Sequence, residues 1–297
     1  MFESFANTVW EVGASTSRLA VPLFFAAIGG MFSERAGVVN IALEGKMVVG
    51  AFVAAVIAFY SGSPWAGFFA GGIAGALVGV IYALSVIEFR ANQIVSGTGI
   101  NLLALGIAPF VCKILFDVTG STPTLEIAKR FSFEPLAIAV VALAAITYWF
   151  YRTIGGLRLQ IAGEHPEALA AAGGNVVLTR WLAVTMAGFL AGLGGACLSI
   201  FLSSSYSRNM TAGRGFIALA ALILGKWRPV QTALACLLFG FTDAIQIRLQ
   251  GVEIAGFGKV PVQFIQILPY VATLILLTGV IGRSRAPKAL GTLDGVS

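Results

Sequence analysis

Long apolar runs separated by short polar turns make up most of the chain. A helix that crosses about 30 Å of hydrocarbon needs roughly 20 mostly apolar residues. By that measure the sequence predicts about nine transmembrane helices, at 17–32, 39–60, 65–87, 98–117, 134–151, 181–203, 209–225, 230–249 and 262–282. The first and seventh segments are short for complete spans. The expected fold is an all-α polytopic membrane protein with one transmembrane domain over residues 1–297.

Two of these segments share a glycine pattern. AGGIAGALVGV (70–80) and MAGFLAGLGGA (186–196) align at an offset of 116, which pairs Gly72 with Gly188 and Gly79 with Gly195. The same offset aligns VSGTGINL (95–102) with TAGRGFIA (211–218). Small residues recur in any packed membrane bundle, but one shared offset favours a true internal repeat. Because the predicted topology gives the two copies opposite orientations, we expect two inverted repeats with a substrate route between them.

Composition agrees with a chain whose main solvent is lipid. The chain has 58% hydrophobic and only 11% charged residues, whereas soluble domains carry about 25% charged residues. The net charge of +6 comes from Lys and Arg residues placed singly or in small groups between apolar runs. This distribution is typical of cytoplasmic loops and not of a nucleic-acid-binding face. If the C-terminal tail is cytoplasmic, ten of the nineteen basic residues lie inside, as the positive-inside rule expects.

The second predicted span begins with three polar side chains, Asn40, Glu44 and Lys46. Ionisable groups within a membrane are costly and are usually paired or functional. Asn40 and Glu44 are four residues apart and so share one helical face. Two interpretations are open: Glu44 lines the substrate path, or it clamps the bundle by bonding backbone groups of a neighbouring broken helix or an Arg. Lys46 is expected to extend to the cytoplasmic edge of the membrane.

Further amides, hydroxyls and charges interrupt other apolar segments. Amides and hydroxyls suit the passage of a neutral polyol or nucleoside through transient hydrogen bonds. The additional candidates for the substrate pathway are Asn92, Ser96, Asn101, Arg214, Asp243 and Gln246.

The longest polar connection runs from residue 152 to residue 180 and contains a short predicted helix. Pro166 suits its first turn, Glu164 and Glu167 suit a positive helix N-terminus, and Gly173 suits its end. The helix, EALAAA, is nearly all small residues, so another protein could approach it closely. The alternative interpretation is an ordinary linker between two spans.

Four blocks of the sequence resemble the permease subunits of bacterial ABC importers. They are FSERAGVVNIALEG (32–45), RANQIVSGTGINLLALG (90–106), GLRLQIAGEHPEALAAAGG (156–174) and GRGFIALAALILGKWRP (213–229). The branch they resemble most is that of nucleoside importers, related to simple-sugar and branched-chain amino-acid permeases. The resemblance implies a type II ABC importer fold, a multi-pass location in the bacterial inner (cytoplasmic) membrane and nucleosides as the favoured substrate, with simple sugars as the alternative.

The resemblance also implies partners. In such permeases the cytoplasmic loop carries a coupling helix that docks on an ATPase, which maps coupling onto Gly163, Glu164, Ala170, Ala171 and Gly173. The expected partners are a cytoplasmic ABC ATPase that holds ATP and Mg, a second homologous permease and an extracytoplasmic substrate-binding (lipo)protein. The chain itself is expected to bind no cofactor.

Other classes of membrane protein fit less well. The sequence has no G-x-x-x-x-G-K-[ST] phosphate loop and a single histidine, His165, so neither nucleotide hydrolysis nor a histidine-based metal or nucleophile site is expected. An ion-coupled secondary transporter with inverted repeats needs an ion site, and only Glu44 and Asp243 are predicted to be intramembrane carboxylates. The expectation is therefore a permease without catalytic activity of its own.

Overall fold

The computed structural model describes residues 2–127, 130–249, 253–254, 258–259, 267, 271 and 285–292. Nearly all of this is helix, and the two strands pair antiparallel as Glu253 with Lys259 and Ile254 with Gly258. The elements are α1 (Phe2–Arg35), α2 (Leu43–Ser61), α3 (Pro64–Ala83), α4 (Gln93–Phe116), α5 (Glu134–Arg152), α6 (Ile154–Glu164), α7 (Pro166–Ala171), α8 (Val176–Cys197), α9 (Arg214–Leu224), α10 (Pro229–Leu249), β1 (Glu253–Ile254) and β2 (Gly258–Lys259). Helices α3 and α8 continue into π-helical turns at Leu84–Glu88 and Leu198–Leu202.

Seven helices of the described residues are long and apolar enough to cross a membrane: α1, α2, α3, α4, α5, α8 and α10, counting the π-helical turns with α3 and α8. The predicted span at 17–32 is the inner part of the longer α1. The predicted span at 262–282 lies outside the described residues except for residues 267 and 271. The part of the chain that the structure describes is therefore almost entirely helical and has the make-up of a multi-pass membrane protein.

The predicted span at 209–225 is wrong in length. Its helix, α9, has 11 residues, which is about 16 Å or half of the hydrocarbon thickness. Asn209, Ala212 and Gly213 have positive φ angles of 61°, 44° and 81°, so the chain before α9 turns and cannot extend the helix. Apolar composition alone does not reveal these turns.

Side-chain caps explain where several helices begin. Ser63 accepts a hydrogen bond from Ala66 N and is followed by Pro64 in the first turn of α3. Thr153 caps α6 through Gly156 N, and Asn175 caps α8 through Leu178 N. Each cap gives an acceptor to an N–H that the helix itself leaves free. Polar residues in the short turns between the apolar runs therefore fix the first residues of these helices.

Glycines bring α3 and α8 into backbone contact at the centre of the bundle. A Cβ atom placed on Gly192 would overlap Gly71 O, and one placed on Gly75 would overlap Gly188 O. Because Gly71 faces Gly192 while Gly75 faces Gly188, the two helices run antiparallel. Such close packing replaces the hydrophobic driving force that is missing between helices in lipid.

One end of the bundle gathers the segments that the sequence assigns to the cytoplasm. Arg35 at the end of α1 donates to Trp227 O at 3.0 Å and lies 3.5 Å from the Glu164 carboxylate of α6. Arg180 of α8 donates to Ala36 O at 3.2 Å. The loop 36–42, α6, α7 and residues 285–292 therefore meet at this end, which is called the α6–α7 end below.

Candidate functional site

Glu44, in the first turn of α2, caps the broken helix α9. Its two carboxylate oxygens accept hydrogen bonds from Gly213 N at 2.9 Å and from Gly215 N at 2.7 Å. The N–H of Arg214 between them donates to Thr211 O instead. Glu44 is only 4% exposed. A carboxylate is favourable here because it meets unpaired N–H groups and the positive end of the helix dipole.

Helices α2 and α9 approach each other so closely at this cap that there is no room for a side chain at position 215. A Cβ atom on Gly215 would lie 2.5 Å from Glu44 N and 2.6 Å from Glu44 Cα. On the other side of α2, Asn101 of α4 accepts from Gly45 N at 2.8 Å and donates to Ile41 O at 2.9 Å. The start of α2 is therefore held between α4 and α9 by polar contacts.

An ion pair lies beside the cap. The Arg214 guanidinium is 4.0 Å from the Asp243 carboxylate of α10, and it also donates to Met210 O at 3.2 Å. Both side chains are partly exposed, 26% for Arg214 and 15% for Asp243. Gln246, one turn further along α10, is half-buried. Among the predicted pathway residues, the structure thus groups Glu44, Asn101, Arg214 and Asp243 around the ends of α2 and α9.

Asn40 lies in a separate buried polar cluster with Lys46. The Lys46 ammonium donates to Asn40 Oδ1 at 2.8 Å and lies 4.7 Å from the ring centre of Tyr82. Asn40 and Lys46 are both 0% exposed, and Asn40 Nδ2 has no partner. The expectation that Lys46 extends to the membrane edge is therefore wrong: an amide oxygen and an aromatic face hold its cation within the bundle.

Asn92 and Ser96 lie apart from this group, at the start of α4. Asn92 caps α4 by accepting from Ile94 N at 2.9 Å and Val95 N at 3.1 Å, and its side chain is exposed. Ser96 is half-buried one turn later. Asn92 thus precedes the first turn of α4 and Ser96 closes it, whereas Asn101 lies more than one turn further along the helix.

Sequence reasoning missed a buried carboxylate at the end of α1. Glu34 is 3% exposed and accepts a hydrogen bond from Trp227 Nε1 at 2.6 Å. Glu34 lies in the last turn of the candidate span Val9–Arg35, so this buried carboxylate adds to Glu44 and Asp243, the two that the sequence singled out. It stands beside Arg35 at the end of an apolar run, and no sequence pattern singled it out. No group of three or more His, Cys, Asp or Glu side chains is placed to hold a metal ion in the part of the chain that the structure describes.

The predicted coupling residues divide into a buried and an exposed set. Gly163 is buried, and a Cβ atom there would overlap Arg35 O. Glu164, half-buried, pairs with Arg35. Ala170, Ala171 and Gly173 are exposed at the end of α7. The first two residues thus anchor the α6–α7 connection to α1, and the last three form its open surface.

Comparison with known proteins identifies similar chains. A family model described as "Branched-chain amino acid transport system / permease component" matches residues 14–280. The Guanosine ABC transporter permease protein NupQ of Bacillus subtilis (strain 168) is 38% identical over 92% of this chain and 92% of its own length. The Nucleoside ABC transporter permease protein NupC of Lactococcus lactis subsp. cremoris (strain MG1363) is 37% identical over 98% of this chain and 97% of its own. The Guanosine ABC transporter permease protein NupP of B. subtilis is 29% identical over 78% of this chain and 72% of its own.

Proposed function

Because the chain belongs to the branched-chain amino acid transport system / permease component family, we propose that it is the permease subunit of an ATP-driven importer that moves nucleosides into the cytoplasm. The similarity to guanosine and nucleoside permeases over more than nine-tenths of the chain carries this proposal. Amide and backbone groups between apolar helices suit a neutral, hydrogen-bonding solute. Transport, and not catalysis, is the role of such a subunit.

The energy for transport comes from a separate ATPase, since the sequence has no phosphate loop. The open surface of Ala170, Ala171 and Gly173 is the proposed docking site for that ATPase, where ATP and Mg are bound. Methyl groups and a glycine let a groove of the ATPase approach the backbone of α7 closely. Gly163 and Glu164 transmit the movement by their contacts with α1. The α6–α7 end therefore faces the cytoplasm in this proposal.

In this proposal the permease forms a dimer with a second permease that is homologous but not identical to it. Two guanosine permeases of one organism, NupQ and NupP, resemble this chain at 38% and 29% identity, which favours a heterodimer. A binding protein on the outer side delivers the substrate. The route for the solute lies between the two permeases, near Glu44, Asn101, Arg214 and Asp243.

We also propose that the two glycine motifs form an inverted repeat centred on the contact between α3 and α8, which would favour the proposed route. The sequence offset of 116 pairs Ile73 with Phe189 and Ala74 with Leu190. These pairs lie midway between the contact of Gly71 with Gly192 and that of Gly75 with Gly188, which is where a two-fold axis relating the copies would pass. Both helices also continue into a π-helical turn. A pathway near the midplane is the usual consequence of such repeats, and α9, half a span long, would begin there.

ATP-dependent uptake tests the function. We expect proteoliposomes with the permease, its partner permease, the ATPase and the binding protein to accumulate radiolabelled guanosine when ATP is supplied. The permease alone will neither transport nor hydrolyse ATP. Excess unlabelled adenosine should compete and excess glucose should not; competition by glucose alone would indicate the simple-sugar alternative. Uptake by the single chain driven by a proton or sodium gradient would overturn the assignment.

A bulky residue on α7 tests the docking surface. Ala171→Trp will reduce guanosine uptake to background while the permease still inserts and pairs, because the indole fills the space that the ATPase groove needs. Co-purification of the ATPase with the permease measures the loss of docking. The control is Ser61→Trp, at the exposed last residue of α2, and this variant should bind the ATPase normally. Normal uptake with tryptophan at both 170 and 171 would contradict the docking site.

A further inference from the structure

The C-terminal segment at residues 287–292, here called the strap, lies across the α6–α7 end of the bundle. Ala289 N donates to Gly163 O at 2.8 Å, and Gly291 N donates to Gly37 O at 3.0 Å. Pro287 and Ala289 are buried. These two backbone hydrogen bonds, from residues 289 and 291 of the strap, thus join the end of α6 to the loop 36–42.

The strap is itself a tightly folded piece of chain. Leu290 N donates to Pro287 O at 3.1 Å, and Thr292 N donates to Ala289 O at 3.2 Å. Gly291 has a φ of +83°, a conformation in which other residues are strained. Proline, two short turns and a left-handed glycine leave this segment few alternative conformations. It can therefore transmit a displacement and does not act as a loose tether.

Side chains of two further helices hold the strap against the loop. Gln93, at the start of α4, accepts from Val39 N at 2.8 Å and donates to Gly291 O at 3.3 Å. Arg180 of α8 donates to Ala36 O at 3.2 Å and to Thr292 O at 3.4 Å. Each of these side chains bonds one residue of the loop and one of the strap. The strap, the loop and α6 are therefore joined through α4 and α8 into one connected unit.

We propose that the strap is a positioning element for energy coupling: it holds the helix pair α6–α7 to the loop 36–42, so that movement of α7 reaches the start of α2. The loop leads directly into Glu44, which caps α9, and into Gly45, which is bonded to Asn101. A displacement of Gly163 carried through Ala289 and Gly291 would thus reach the polar contacts beside the proposed path. This inference rests on the proposed function, in which the ATPase moves α7.

The donors in the strap are backbone N–H groups. The proposal is therefore tested by one substitution that removes such an N–H and one that strains the backbone around it. Ala289→Pro removes the N–H that bonds Gly163 O. Gly291→Ala keeps its N–H but strains the left-handed backbone that directs this N–H to Gly37 O. Two matched controls are available in the chain: Ala286→Pro, just before the strap and with no hydrogen bond from its N–H among the described residues, and Gly62→Ala, which has a φ of +68° at the far end of α2.

The experiment measures guanosine taken up and ATP hydrolysed in the same proteoliposomes of the complete complex. We expect the ratio of guanosine taken up to ATP hydrolysed to fall about tenfold for Ala289→Pro, because one net hydrogen bond is lost. The ratio should fall by a smaller factor for Gly291→Ala. Both variants should bind the ATPase and hydrolyse ATP at rates near that of the unmodified complex, since α7 is unchanged. A ratio that falls while hydrolysis persists is not the result of a merely unstable permease.

The outcomes separate this inference from the function on which it rests. If the unmodified complex shows no ATP-driven uptake, the proposed function fails and the strap proposal fails with it. If the unmodified complex transports and both strap variants keep its ratio at normal assembled levels, the strap proposal alone is overturned. Equal losses in Ala286→Pro or Gly62→Ala also overturn it. Should Ala289→Pro not assemble, Gly291→Ala compared with Gly62→Ala decides the question.

Discussion

Replacing Glu44 with leucine will remove most of the folded permease from the membrane and abolish guanosine uptake. The carboxylate accepts hydrogen bonds from Gly213 N and Gly215 N in a region where Glu44 is 4% exposed. Leucine leaves both donors without an acceptor, at roughly 1–3 kcal/mol for each buried donor. That sum is a large share of the 5–15 kcal/mol by which a typical domain is stable. The amount of monodisperse permease after detergent extraction measures the effect.

Glu44→Gln separates the two roles that the sequence left open. A residue that only lines the path of a neutral solute would keep much of its transport with glutamine. In the observed geometry, glutamine offers one oxygen to two N–H donors and turns its own NH₂ toward the second. We therefore expect about half the destabilisation of leucine and a clear loss of uptake.

The control for both variants is Glu88→Leu. Glu88 accepts a hydrogen bond from Trp181 Nε1 at 2.9 Å, but this bond is exposed. Water can replace the lost acceptor there, so the expected change is small. Normal levels and full uptake with Glu44→Leu would show that the cap does not stabilise α9.

Seven of the nine predicted spans match long apolar helices of the described residues, because lipid imposes one rule, about 20 apolar residues for each helix. The rule gives no information on which residues of different helices contact one another. It could not reveal that residues 209–213 turn before a half-length α9, or that Gly213 and Gly215 present their N–H groups to Glu44. These contacts join segments about 170 residues apart, which no local pattern specifies.

Lys46 and Glu34 show that sequence patterns also fail to predict the surroundings of single side chains. A cation near the end of an apolar run usually extends to the membrane edge. This argument fails for Lys46, whose ammonium is buried against the Asn40 amide oxygen and the Tyr82 ring. The sequence indicated which residues are unusual, such as Asn40, Glu44 and Asn101. Their grouping depends on how α2, α4 and α9 pack together, so it required the structure. The position of the strap could not be predicted either, because the strap residues make their contacts through their backbone N–H and C=O groups.

Gly75→Leu will prevent the permease from folding, with a larger effect than any substitution considered above. A Cβ atom at Gly75 would already overlap Gly188 O, and it would lie 2.7 Å from Gly192 Cα. These are backbone atoms of α8, so no side chain can rotate away to make room. The two helices would have to separate, although α1 and α2 also pack on α8. Membrane-inserted, protease-resistant permease should be absent by immunoblot.

Gly106→Leu is the matched control for this substitution. Gly106 is also a helical glycine, in α4, but nothing lies within 4 Å of a Cβ placed there. The same leucine at this position adds apolar surface to an exposed face and should leave both protein level and uptake near normal. If Gly75→Leu accumulated like Gly106→Leu, the helices could not be in backbone contact at that point. The proposed inverted repeat would then lose the contact about which its two halves would be related.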